Sequence, residues 1–465
     1  MSEEVQAAGS VSAGFLGDES FRREYGLKYA YYAGAMYKGI ASVDLVVAMG
    51  RAGLLGFLGT GGLKINDVEN AIRQIKRELV SGEAFGVNLL SSLDDPSYES
   101  AIVDVYLREQ VRVVEASAFM QVTKNLVKYR LTGISRGEDG RILVPNRIIA
   151  KVSHPKVAEA FMRPAPSSIV EKLLNSNEIS RDEAELSGLV PVASDICVES
   201  DSGGHTDQGV AHVLMPAMSA LRDDISAEYQ YAQKIRVGAA GGLGSPGAIA
   251  SAFMQGADFV VTGSVNQCTI EAGISDAVKD LLQDMRVEDT AYAPAGDMFE
   301  LGAKVQVLKK GTFFPARANK LYELYQRYSG LDDIDERTRQ TIQDKYFHRS
   351  FDEVWRETRG FYEKKFPSKI AAIEKNPKQK MALIFKWYFV HSTRLSMQGD
   401  PSKVVDYQIH CGPALGTFNQ WVKGTALENW RSRKVADIAE SLMSAAALVV
   451  RDRVTYFSKV LDKVC

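Results

Sequence analysis

Cysteine is scarce in this chain: Cys197, Cys268, Cys411 and Cys465 are the only four in 465 residues, and no two form a CxxC pair. That scarcity excludes a disulfide scaffold and a structural zinc site, and fits a reducing cytoplasm. An excess of one charge is missing too. The 56 Lys and Arg nearly cancel the 58 Asp and Glu, leaving a net of −2 and no drive toward nucleic acid or a membrane surface. No run of apolar residues is long enough to cross a bilayer. The opening MSEEVQAAGS lacks the basic-then-apolar order of a signal peptide. HExxH, paired histidines and a carboxylate cluster are all absent, so no metal is expected, and neither is the serine nucleophile of a GxSxG elbow. What is left, with 45% hydrophobic and 9% aromatic residues, is the composition of a cytoplasmic α/β protein, expected to be an enzyme.

From Lys28 to about Val265, short apolar runs alternate with amphipathic stretches of helical period. The runs are Lys28–Ala35, Leu54–Gly59, Phe85–Leu90, Val111–Glu115, Arg147–Ser153, Ser194–Glu199, Ile235–Ala240 and Phe259–Thr262. Eight strands alternating with helices imply parallel βαβ units. An open doubly wound sheet gives the same alternation, but eight units close naturally into a (β/α)8 TIM barrel. Two segments break the repeat. Pro155–Val190 is long and polar and reads as helices inserted between the fifth and sixth strands. Leu301–Lys403 reads as helical throughout and is taken as an added all-α subdomain. The expected division is a barrel over 1–300, a helical subdomain over 301–405 and C-terminal helices over 406–465 that pack back on the barrel.

Candidate chemistry sits at the ends of these strands. GAAGGLGSPG, Gly238–Gly247, lies between an apolar run and a helix. Gly242, Gly244 and Gly247 satisfy GxGxxG, but the stretch 262–268, TGSVNQC, lacks the acidic residue that a dinucleotide fold needs there. A phosphate site after strands seven and eight is a recurring barrel feature, and the glycine pair Gly241–Gly242 and Gly263–Ser264 occupy those two places. Turn formation alone would also call for such glycines. In ESDSGGH, Glu199–His205, Gly203 and Gly204 let the backbone approach a flat ligand and put His205 over the barrel mouth, where it can exchange a proton near neutral pH. Asn88 and Lys151 are polar residues inside apolar strands. The amide can meet a heterocycle's edge or make a structural bond, and the ammonium can offset a reduced cofactor's charge or pair with a carboxylate such as Glu115. His410 and Cys411, in QIHCGPALG, have no comparable context.

These motifs, in order AGAMYKG, GFLGTGGL, GVN, DSGGH, AAGG and TGS, resemble the flavin-dependent 2-nitropropane dioxygenase (nitronate monooxygenase) superfamily. QVTKNLVKYR, RIIAKVSHPKVAEAFMRPAP and CGPALGTFNQWVKGTALENW are similar to one branch of it. That branch holds the trans-acting enoyl reductases of trans-acyltransferase polyketide synthases and polyunsaturated fatty acid synthases. The resemblance implies bound FMN, NADPH as hydride donor, and an enoyl thioester carried on acyl carrier protein as substrate. By motif, Gly34, Ala35, Met36, Asn88, Lys151, Gly203 and Gly204 would meet the ring and ribityl, and Gly241, Gly242, Gly263 and Ser264 the phosphate. His205 would be the catalytic residue, either polarising the thioester or protonating the α-carbon. DSGGH departs from the family's usual EAGGH, so Asp201 is given no flavin contact. A nitronate oxidase and a non-catalytic barrel scaffold are the alternatives. Segment 361–403 carries nine Lys and Arg against three acids, a local net of +6, which suits an acidic carrier protein docking at Lys375, Lys378 and Lys380. A solvated helical face would show the same excess. The oligomeric state is left open by the sequence, although helical additions of this kind often support a homodimer.

Overall fold

Eight parallel strands close into a barrel in the computed structural model, which describes residues 12–91 and 96–461. Residues 1–11 and Cys465 lie outside them. The strands are β1 (Tyr31–Ala33), β2 (Leu55–Leu58), β3 (Gly86–Leu90), β4 (Val113–Ser117), β5 (Arg147–Val152), β6 (Asp195–Glu199), β7 (Arg236–Ala240) and β8 (Val260–Thr262). Each pairs with the next in chain order, and β8 returns to β1. Register decides which side chains share a level: Asn88 stands opposite Glu115, and Lys151 opposite Cys197.

The amphipathic stretches form the outer layer. In Ile65–Glu78 the buried residues are Val68, Ile72 and Ile75, the spacing of one helical face. Ser42 caps Val43–Arg51 by accepting the Leu45 N–H at 3.1 Å. The polar insert resolves into Pro155–Met162, Ser167–Asn175 and Arg181–Leu186. At the N-terminal end of the barrel, Tyr25 donates to Asp195 at 2.5 Å and Arg236 donates to the same carboxylate at 3.1 Å. Phe21, on the same short helix as Tyr25, stacks on Phe259. This plug leaves the C-terminal strand ends for chemistry.

The chain divides into two units at places the sequence pattern does not mark. The barrel unit comprises 1–201, 208–273 and 421–465, and the second unit 202–207 and 274–420. The boundaries therefore fall at 274 and 421 rather than near 300 and 405. The last long helix, Val435–Leu461, packs along Pro246–Met254 and Val43–Arg51, the helices that follow β7 and β1. It thus holds the place of the eighth barrel helix, and 274–420 is an insertion between β8 and that helix. This is why the C-terminal stretch returns to the barrel.

The second unit is mainly helical, with Phe314–Arg327 and Phe351–Lys365 both packed on the long helix Pro377–Gln398. Its core gathers Phe299, Phe314, Phe347, Tyr388 and Phe389. It is not all helix, however. Thr290–Pro294, Lys304–Leu308 and the two-residue strand Gly204–His205 form an antiparallel sheet, with Lys304–Leu308 in the middle. Lys304–Leu308 alternates polar and apolar residues, a strand signal hidden by the helical aromatic spacing that follows it.

Candidate functional site

The C-terminal half of the barrel carries a buried charged group. Glu115 on β4 accepts from the Tyr32 hydroxyl at 3.1 Å and from the Ala35 N–H at 3.2 Å. Lys151 on β5 reaches Glu199 on β6 at 2.9 Å. Desolvation pushes the Glu115 carboxyl up, with the Lys151 charge opposing it. For Lys151, desolvation favours the neutral amine, but the charges of Glu199 and Glu115 outweigh it and hold the ammonium above its usual range. Lys151 is thus a fixed cation between two carboxylates. Of the two fates open to it in the sequence, the structure shows the pairing with a carboxylate, made to Glu199 with Glu115 nearby.

Asn88 is similarly committed. Its Nδ2 donates to the Glu115 carbonyl and to Ser117 Oγ, both at 3.0 Å, while its own carbonyl accepts from Thr60 at 2.8 Å and Tyr106 at 2.6 Å. What the side chain offers a ligand is therefore the Oδ1 acceptor. Along the loop after β1, Gly34 donates its N–H to the Thr262 carbonyl at 3.0 Å. The Ala35 N–H is used by Glu115, and the Met36 carbonyl accepts from Ala41 at 3.3 Å.

Two turns face open space on neighbouring strands. β7 pairs with β8 through Ala240 and Val261, so the turns 241–242 and 263–264 lie side by side. Gly241 has φ +89°, and a Cβ there would come within 2.7 Å of the Ser200 carbonyl, so only glycine fits. At Gly242 and Gly263 a Cβ would meet nothing within 4 Å, which leaves the backbone open to a ligand. Ser264 opens the short helix Ser264–Gln267. Exposed backbone at paired strand ends suits a phosphate, and a fixed cation suits an electron-rich ring, so these residues fit FMN.

The remaining motif residues belong to the second unit. Gly204 and His205 pair with Gln306 and Val305, and are an edge strand rather than a free loop. A Cβ on Gly203 would lie 2.6 Å from the Cys411 and Gly412 backbone, so this glycine admits the CGP motif. His205 Nε2 lies 2.9 Å from Asp297 Oδ1, and its ring meets His410 edge to face at 6.4 Å. Sequence reasoning missed Asp297, which no motif marks, and left His410 without a role; their bearing on His205 comes only from the fold. Of the docking lysines, Lys375 is exposed, and Lys380 lies over the Trp355 ring at 5.2 Å. Lys378 is turned inward. It donates to the Tyr325 carbonyl and, at 2.5 Å, to the Tyr328 carbonyl, so it caps the end of Phe314–Arg327 and is not available for docking.

The nitronate monooxygenase family model matches residues 25–299, and the chain belongs to that family. A second model, the inserted helical domain of [acyl-carrier-protein] S-malonyltransferase, matches residues 328–407. Over 97% of its length the chain is 54% identical to the polyketide biosynthesis protein PksE of Bacillus subtilis, of which it spans 59%. It is 46% identical, over 89% of its length, to a component of a polyunsaturated fatty acid synthase from Thraustochytrium, of which it spans 28%. Among solved structures, the enoyl reductase domain of MlnA, from the macrolactin biosynthesis cluster of Bacillus amyloliquefaciens, matches with a TM-score of 0.92 at 44% identity, covering 95% of this chain and 99% of that one.

Proposed function

We propose that the protein is an FMN-dependent, NADPH-using reductase of α,β-enoyl thioesters carried on acyl carrier protein, serving polyketide or polyunsaturated fatty acid assembly. The observation that carries this reading is the pair of open turns after β7 and β8 together with the caged Lys151, in a chain matched end to end by an enoyl reductase domain.

The residues divide the work. Backbone N–H groups at Gly241–Gly242 and Gly263–Ser264 hold the phosphate, and Asn88 Oδ1 accepts from the ring edge. Lys151 offsets negative charge, and Gly34–Met36 line the ring. When bound, FMN would supply the hydride-carrying chemistry that links NADPH oxidation to reduction of the enoyl β-carbon. His205 supplies the proton that the α-carbon gains, so that hydride and proton together saturate the double bond. The β-carbon is electrophilic only while the thioester oxygen is polarised, which His205 can also do by hydrogen bonding.

The test is an absorption spectrum of the purified protein followed by anaerobic NADPH oxidation with a crotonyl thioester. Flavin bands and one NADPH consumed per double bond reduced are expected. Colourless protein would favour a scaffold, and turnover that requires oxygen would favour a nitronate oxidase.

A further inference from the structure

His205, Asp297 and His410 meet in the second unit although 92 residues separate the first two in sequence. Both ends of the His205–Asp297 contact are set by backbone. His205 is fixed in register opposite Val305, and the next residue, Thr206, donates its N–H to the Lys304 carbonyl at 3.2 Å. Asp297 follows Ala295, whose N–H donates to the Ala303 carbonyl at 2.7 Å, and Gly296, where a Cβ would come within 2.7 Å of Phe389. The 2.9 Å contact therefore joins two partly exposed side chains carried on anchored backbone.

We propose that Asp297 is a positioning residue for His205, holding its imidazole with the proton on Nε2 so that Nδ1 is the nitrogen that exchanges protons with substrate. The proposal rests on the enoyl-reductase reading above. A carboxylate can only accept, so the nitrogen facing it must carry hydrogen. Desolvation works to raise the Asp297 carboxyl, but the hydrogen bond and charge of His205 outweigh it, so Asp297 stays ionised at neutral pH. On the third side His410 sits with its Nε2 2.7 Å from the Gln408 amide nitrogen. Desolvation and the charge of His205 hold His410 down to about 4. In each turnover His205 gives up its Nδ1 proton, keeps Nε2–H on Asp297, and regains a proton from water. Asp297 remains a carboxylate throughout.

An exposed ion pair without a positioning role would contribute little, and its loss would not alter turnover selectively. The experiment compares flavin-loaded wild type, Asp297→Asn, Asp297→Glu, His205→Ala and the double variant His205→Ala/Asp297→Asn, with NADPH and crotonyl-pantetheine. Asp297→Asn should lower kcat about 10- to 100-fold with KM within about two-fold, Asp297→Glu should recover most of it, and the double variant should fall no further than His205→Ala. In parallel, 15N spectra of histidine-labelled protein should report the Nε2–H form of His205 in wild type and a mixture in Asp297→Asn. Unchanged kcat in Asp297→Asn beside an impaired His205→Ala, or an unchanged His205 tautomer, would overturn the proposal. Wild type inert toward the thioester would instead remove the enoyl-reductase reading, and the tautomer spectra would still decide what Asp297 does to His205.

Discussion

Burial changes the acid–base behaviour of His410 more than its place in the sequence suggests. Desolvation, helped by the charge of His205, holds it down to about 4, against 6.5 for a free histidine. Between those values the unfolded chain binds a proton that the folded chain refuses. His410 therefore leaves stability intact above about 6.5 and costs stability as the pH falls toward 4, by an amount on the order of 2–3 kcal/mol. Urea unfolding of wild type and His410→Gln at pH 7 and pH 5 checks this. The wild type should lose more stability on acidification than the variant, and parallel losses would show that His410 does not titrate as its surroundings imply. At the same scale, the sequence marked Asn88 and Lys151 by their polarity within apolar strands. It offered Glu115 as a partner for Lys151 but disclosed neither its contact with Asn88 nor Glu199 as the direct partner of Lys151, because both depend on the strands β3 to β6 lying side by side in register.

Among the elements, the alternation of apolar runs with amphipathic stretches located all eight barrel strands, since burial between helices and barrel interior leaves an unbroken apolar signature. The same reading missed the hairpin Ser135–Arg136 with Ile142–Leu143 and the strand Gly204–His205, where two residues are too few to show a period. Lys378 shows a different limit. In a run of basic residues it looks like one more surface charge, yet it crosses to the end of Phe314–Arg327 and lies 4.3 Å from the Tyr325 ring centre. Lys378→Met keeps the apolar stem but strips the donors from the Tyr325 and Tyr328 carbonyls. This should destabilise the protein by about 1–3 kcal/mol, whereas Lys375→Met, at an exposed position, should stay within about 0.5 kcal/mol of wild type. Thermal unfolding of the two variants checks the contrast, and equal midpoints would mean that the inward contacts of Lys378 contribute nothing.

Across the whole molecule, the barrel carries a second unit inserted between its last strand and last helix, and that unit holds His205. Part of that unit matches the helical domain inserted in an acyl-carrier-protein transferase. An acidic carrier protein, the partner proposed above, would meet this unit at the basic stretch 361–403. With Lys378 committed to its helix cap and Lys386 paired to Glu300 at 2.6 Å, the exposed Lys364 and Lys375 are the better probes of that face. The double charge reversal Lys364→Glu/Lys375→Glu should lower kcat/KM for a carrier-bound enoyl substrate several-fold at low ionic strength, because steering acts on the encounter and is screened within about 10 Å at 0.1 M salt. For crotonyl-pantetheine, which has no protein to dock, kcat/KM should stay at the wild-type value, and raising the salt should close the gap between the variant and wild type on the carrier-bound substrate. Equal losses on both substrates would move carrier docking to another face of the protein. A gap that persists in high salt would mean that the reversals perturb the second unit itself.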